Sequence, residues 1–207
     1  MHVYIFNHIP KCGGHSVVDI LKSWGKVILT YNDSKINGLM QNQILCGHNL
    51  INKYPFLLND KRCCVFSFVR DPLSLSISLY YYYRNRNKLS DIDINNGLIN
   101  SSNNSPNILS QYLGCNKNNY KMIIDNYFFI GIFEKFQESF NALCTLTNHI
   151  CVKLPIINKS IKDNQKITNE VIDYFKEKNM FDYQMYNYIY HKYEQTINCI
   201  KSKGIVL

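Results

Sequence analysis

The chain of 207 residues is 46% hydrophobic and 18% charged, which predicts one domain over residues 1–207 with a sizeable core and excludes a disordered chain. Its 23 basic residues exceed its 15 acidic ones, a formal net charge of +8, so anionic partners are favoured: nucleic acid, anionic lipid, or a phosphorylated or sulfated ligand. The excess is not gathered in a tail, and the densest stretch, residues 153–166, is mixed with Asn and Asp, so much of it reads as solvated surface.

The opening, MHVYIFNHIPKCGG, has no basic n-region followed by a long apolar stretch. It reads as a strand over residues 3–7 rather than a secretory signal. A helix follows from about His15 to Trp24, where Val17, Val18, Ile20, Leu21 and Trp24 form one apolar stripe. Gly25 fits its stop, and residues 26–31 (KVILTY) read as a second strand. A short apolar run leads to residues 46–49 (CGHN), ahead of a helix over residues 50–58. Residues 62–69 (RCCVFSFV) make another strand, followed by a helix from Pro72 through Tyr83. Proline suits a first helical turn because its missing N–H has no intrahelical partner there.

Residues 85–107 are rich in Asn and Ser and lack periodicity, which predicts a surface loop. Residues 127–133 (YFFIGIF) suit a strand buried on both faces. Residues 134–146 read as a helix with Phe136, Phe140, Leu143 and Cys144 on one side. About residues 168–203 form a C-terminal helical part in which Tyr183, Tyr186, Tyr190, Tyr193, Ile197 and Ile200 recur every three or four positions as a packing stripe. Strands alternating with helices imply βαβ units. The expected architecture is a three-layer, P-loop-like α/β domain, a central parallel sheet flanked by helices. No run of about 18 apolar residues occurs, which argues against a membrane-spanning helix and for a cytoplasmic protein. The eight cysteines form no CxxC pair and no zinc-finger spacing, so reduced thiols are expected rather than a disulfide framework or a metal site.

Residues 5–16, IFNHIPKCGGHS, carry the most chemistry. A strand turning through glycines directly into a helix aims backbone N–H groups and a helix N-terminus at an anion. Gly13 and Gly14 let the backbone approach a phosphate, Lys11 brings an ammonium, and Ser16 a hydroxyl in the first helical turn. An ordinary strand-to-helix turn accounts for two glycines about equally well. The pattern is not a Walker A loop, G-x-x-x-x-G-K-S/T, because His15 occupies the lysine position and Lys11 precedes the glycines.

The lysine-first form, P-K-x-G-G-x-S, resembles the 5′-phosphosulfate loop of sulfotransferases that use 3′-phosphoadenylyl sulfate (PAPS), with Cys12 and His15 in place of two threonines common there. Residues 69–80, VRDPLSLSISLY, resemble the V-R-D-P-x-x-R-x-x-S-x-Y signature of the 3′-phosphate site in the same enzymes; Leu75 stands where that family carries an arginine. Residues 46–49 (CGHN) resemble the G-H segment of glycan O-sulfotransferases related to heparan sulfate 2-O-sulfotransferase. Residues 129–140 (FIGIFEKFQESF), 154–160 (LPIINKS) and 181–186 (FDYQMY) resemble, in family order, a strand-then-helix stretch beside the nucleotide, a polar segment that approaches it, and a terminal D-x-x-x-Y helix. The resemblance covers about residues 3–190.

That resemblance implies transfer of a sulfuryl group from PAPS to an acceptor hydroxyl, on a carbohydrate in the glycan-type enzymes, with release of 3′,5′-ADP and no metal. It implies that Lys11 and the backbone of Cys12, Gly13, Gly14, His15 and Ser16 hold the 5′-phosphosulfate. Arg70 and Ser78 would hold the 3′-phosphate, and Asn158 and Ser160 would approach the nucleotide. Lys11 and His48 would act in catalysis, His48 as the base that a hydroxyl acceptor needs. His15 competes for that role, and His8 reads as structural.

Two other readings stand beside it. Cys12 at a helix start next to Lys11 fits a thiolate nucleophile, although a C-x5-R loop needs arginine where Val18 stands. The positive charge, sixteen tyrosines and the run YYYYRNR at residues 80–86 suit a non-catalytic nucleotide- or nucleic-acid-binding protein on the same fold. A sulfotransferase, by contrast, needs no nucleic acid partner.

Overall fold

The computed structural model describes residues 2–30, 43–86, 92–155 and 165–207. Among them are five strands: β1 (Val3–Asn7), β2 (Lys26–Leu29), β3 (Gln43–Gly47), β4 (Cys63–Val69) and β5 (Phe129–Ile132). They form a parallel sheet in the order β2-β3-β1-β4-β5. The α-helices are α1 (Gly14–Leu21), α2 (Leu50–Lys53), α3 (Pro72–Arg84), α4 (Ile94–Asn104), α5 (Ile108–Leu113), α6 (Tyr120–Asp125), α7 (Phe136–Thr147), α8 (Asn169–Lys178) and α9 (Met180–Ser202).

In β1, at the middle of the sheet, Phe6 lies in register between Cys46 of β3 and Phe66 of β4. Strands covered by helices on both faces need near-continuous apolar side chains, and β4 supplies them in CCVFSFV. Its one hydroxyl, on Ser67, donates to the Asn7 carbonyl at 2.7 Å. Alternate residues of β1 meet different helix layers. Tyr4 lies edge-on to Trp24, which stacks on Phe140 of α7. Asn7, on the opposite face, donates to the Tyr112 carbonyl of α5 at 2.9 Å and to the Tyr127 hydroxyl at 2.8 Å. The three-layer α/β expectation therefore holds. Because every strand pair is parallel, the turns leaving β1, β3, β4 and β5 all emerge at one edge, and strand order reverses around β1, the position where open α/β sheets hold ligands.

Several elements differ from expectation. Residues 85–107 are not a loop throughout: α4 spans Ile94–Asn104, its first N–H groups at Asn95 and Asn96 bonded to the Asp93 carboxylate. Its Ile94 and Leu98 join Tyr80, Tyr81, Val171 and Phe175 in a satellite core between α3, α4 and α8. The helix expected over residues 50–58 breaks after α2, because a residue before proline avoids helical angles; Tyr54 sits at φ −137°, ψ 65°, and Pro55–Leu58 is a 3₁₀ turn. β5 is shorter than residues 127–133, and Phe133 opens a second 3₁₀ turn ahead of α7. The C-terminal part splits at Asn179 into α8 and α9. The buried line of α9 runs through Phe181, Met185, Ile189, Tyr193, Ile197 and Ile200, with Tyr186 and Tyr190 only partly buried beside it. All eight cysteines are unpaired.

Candidate functional site

The loop between β1 and α1 is shaped by two left-handed residues, Lys11 (φ 64°) and Gly13 (φ 81°). A Cβ on Gly13 would lie 2.3 Å from the Phe136 ring, and one on Gly14 would lie 1.8 Å from the His8 imidazole. Both glycines are thus demanded by packing as well as by any close ligand. α1 begins with no side-chain cap, and its ladder opens with Val17 N–H on the Gly13 carbonyl at 3.3 Å. The N–H groups of Gly14, His15 and Ser16 fall in the first turn, where a helix lacks internal acceptors and carries positive partial charge. Cys12 departs from the expected cradle: its N–H turns inward to the Ile9 carbonyl at 3.4 Å. Its side chain is fully buried, which pushes the thiol far above the ordinary range and overturns the thiolate reading.

Three cations gather beside this turn. The Lys11 ammonium lies 4.7 Å and the Arg86 guanidinium 4.5 Å from the centre of the same Tyr82 ring. Arg70, leaving β4, stacks 4.7 Å from the Phe133 ring and donates to the Lys11 carbonyl at 3.3 Å. Its Nε is buried without a hydrogen-bond partner, an arrangement that costs free energy unless an anion arrives. Burial, then Arg70 and Arg86, lower the Lys11 pKa, as expected where like charges converge. The nearby carboxylates are engaged otherwise. Asp71 caps α3 by accepting Ser74 N–H at 2.8 Å, and Glu134 accepts the Asp71 N–H and the Tyr186 hydroxyl, each at 3.0 Å.

Ser78 is buried on α3 one turn before Tyr82, hence on the side of the helix that meets Lys11. Leu75, in place of an arginine, is buried in the main core. Asn158 and Ser160 lie outside the described residues.

His48 follows β3 and approaches the same edge. Its Nδ1 lies 2.6 Å from the His8 carbonyl. A carbonyl only accepts, so Nδ1 carries the proton and Nε2 is the basic nitrogen. The turn is pinned by His8 N–H on the Gly47 carbonyl at 2.8 Å and by Leu50 N–H on the Asn7 side chain at 3.0 Å. The His8 ring lies 4.6 Å from that of His48 and 6.0 Å from that of His15, and stacks on Phe6. Burial, with His48 and His15 adding, drives the His8 pKa down to about 3, so this ring is neutral. Burial also lowers the His48 pKa, against the opposing bond to His8 and with a further lowering from His15.

Sequence reasoning missed Phe133 beside Arg70 and did not connect Tyr82 and Arg86 of the YYYYRNR run with Lys11, whereas His8, read as structural, holds His48 through its carbonyl. The signal was present as Tyr82 and Arg86 four residues apart where α3 ends, a spacing that puts a cation over a ring. Among the described residues no cluster of three or more His, Cys, Asp or Glu is arranged for a metal ion, and no helix is long and apolar enough to cross a membrane. A shallow cleft lined by Ile124, Phe128, Ile130, Ile189 and Lys192 opens at the opposite, amino-terminal end of β5 and holds none of these groups.

No protein-family model matches the chain, and no curated protein matches it. Among solved structures it is similar to mouse sulfotransferase SULT7A1 complexed with PAP, at 12% identity and a TM-score of 0.48 over 86% of this chain. The chain spans 64% of the length of that structure.

Proposed function

We propose that residues 1–207 form a single PAPS-dependent sulfotransferase domain that moves a sulfuryl group to an acceptor hydroxyl, with a carbohydrate as acceptor. The observation that carries this reading is Arg70. Its Nε is buried without a hydrogen-bond partner, and its guanidinium donates to the Lys11 carbonyl ahead of the uncapped start of α1. Such a site suits a ligand with two separate anionic groups, as PAPS has.

In the reaction the acceptor oxygen attacks sulfur in line, the bond from sulfur to the 5′-phosphate oxygen breaks, and 3′,5′-ADP leaves. The acceptor proton passes to His48 Nε2, the basic nitrogen of the ring because Nδ1–H is held by the His8 carbonyl. Lys11 and the first-turn N–H groups of α1 stabilise the charge that grows on the departing phosphate. Arg70 and Ser78 hold the 3′-phosphate and so select PAPS over ATP. Asn158 and Ser160 complete the nucleotide contacts. The carbohydrate acceptor rests on the resemblance of CGHN alone.

Calorimetric titration with 3′,5′-ADP, with 5′-AMP and ATP as controls, tests the reading. Binding that needs the 3′-phosphate and is lost in Arg70→Ala supports it. Equal binding of all three, or none to the folded protein, refutes it. Steeply salt-dependent binding of single-stranded nucleic acid would favour the non-catalytic alternative instead.

A further inference from the structure

The end of α7 brings two cysteines together, away from the groups discussed above. The helix stops at left-handed Asn148 (φ 57°), and His149 N–H returns to the Cys144 carbonyl at 2.8 Å. This C-cap turns the chain back over the helix it has just left. Gln137 straps the returning segment: its side-chain amide donates to the Val152 carbonyl at 3.0 Å and accepts Leu154 N–H at 2.9 Å. Cys151 is thereby held above the last turns of α7, its Sγ 3.6 Å from the Asn141 carbonyl. Cys144 lies three residues beyond Asn141 on the same side of the helix, so the Asn141 carbonyl that Cys151 meets places the two thiols as neighbours, near enough for Cys151 to raise the Cys144 pKa. Cys144 is buried and Cys151 exposed.

We propose that Cys144 and Cys151 form a redox-active dithiol that small-molecule disulfides, such as glutathione disulfide, close to an intrachain disulfide. The Cys151 thiolate attacks one sulfur of the oxidant, forming a mixed disulfide and expelling one thiolate, which takes up the proton Cys151 released. Cys144 then gives its proton to water and attacks the Cys151 sulfur, forming the Cys144–Cys151 bond and expelling the second thiolate. Two protein thiols are oxidised and one disulfide is reduced to two thiols. The order of attack follows exposure. Burial, followed by the neighbouring Cys151, pushes the Cys144 thiol up to about 12, so its attack is the slower step. No other pair has this geometry among the described residues: Cys63 and Cys64 are adjacent on β4 and point to opposite faces.

The test treats the full chain with glutathione disulfide, blocks remaining thiols without reduction, and maps the peptides by mass. The expected product is a Cys144–Cys151 cross-link about 2 Da lighter than the dithiol, with two fewer free thiols and no retained glutathione. In Cys144→Ser, the mixed disulfide should persist on Cys151. Because Cys144 lies in the core, the surface variant Cys151→Ser carries the same test: its Cys144 should stay reduced throughout. Retained glutathione on Cys151 of the unaltered chain, or a cross-link from Cys151 to Cys199 or to a second chain, overturns the proposal.

Discussion

Gly14→Ala sets two opposing effects against each other at one atom. Gly14 is the first residue of α1, and replacing glycine by alanine in a helix ordinarily stabilises by up to about 1 kcal/mol. Here the new methyl would lie 1.8 Å from His8 Nε2. That ring has little room to withdraw, since it is buried and bounded by Phe6, His15 and His48 at centroid distances of 5.3, 6.0 and 4.6 Å. Forcing a methyl into a filled site costs about 1–3 kcal/mol, so the steric effect wins and, once the propensity gain is subtracted, the net loss is about 1 kcal/mol. For a chain of this size the melting temperature should fall by about 2–4 °C. Calorimetric melting and urea titration read it directly. The cause is isolated by adding His8→Ala: the vacated ring volume should admit the methyl, with a favourable coupling of about 1 kcal/mol or more in the double-mutant cycle. If Gly14→Ala melts at or above the parent temperature, helix propensity has prevailed and the tight packing argued for this loop is wrong.

Other consequences follow from the same groups. Arg70→Ala should weaken 3′,5′-ADP binding by at least 10-fold, because a hydrogen bond to a charged group is worth about 1.5–3 kcal/mol, while 5′-AMP binding should change little. Arg86→Ala should weaken the same ligand only a few-fold, by titration calorimetry, since its guanidinium is exposed and screened. If His48 is the base, turnover should be level above neutrality and fall as pH drops through a pKa below the ordinary 6.5, because burial favours the neutral ring; a midpoint above 6.5 would count against it. The carboxyl of Asp182, which accepts the Leu109 and Ser110 N–H groups, is raised by burial to about 6. The folded state therefore holds this proton more tightly than the unfolded one, and its contribution to stability grows as pH falls from about 6 toward 3.8. Denaturation at pH 7 and pH 5 should show that gain in the parent and lose it in Asp182→Asn.

The central strands were legible because burial on both faces leaves little freedom of composition: VYIFN and CCVFSFV declare themselves. The start of α3 was legible for a local reason, an Asp71 cap followed by Pro72. α4 was hidden because it buries only Ile94, Leu98 and Ser102, too few for a visible period among Asn and Ser. β3 (QILCG) was read only as a short apolar run, since it offers just Ile44, Leu45 and Cys46 between Gln43 and Gly47. At the site, Lys11, Arg70 and His48 were visible through motif spacing. Their framing was not, since Phe136 under Gly13 and Phe133 under Arg70 come from a region more than 60 residues later in the chain. The glycines themselves read as room for a ligand, when the nearest demand on each is an aromatic ring of the protein.

Asn7 has a consequence for the order in which the chain matures. Its side chain, wholly buried, ties the end of β1 to Leu50, to the Tyr112 carbonyl and to the Tyr127 hydroxyl, the last two more than 100 residues downstream. The basic groups Lys11, Arg70 and Arg86 all lie in the first 86 residues, so a growing chain presents them early. The bonds that pin the His48 turn join residues 7, 8, 47, 48 and 50 and can form early, but the two acceptors of the Asn7 amide await the second half. Contacts at such sequence separation form slowly, because loop closure must precede any return from them. The half-made protein thus carries its cations and its histidine turn while the buried Asn7 amide beneath them still lacks its acceptors, and these arrive only when the residues around Tyr127 are laid against the sheet.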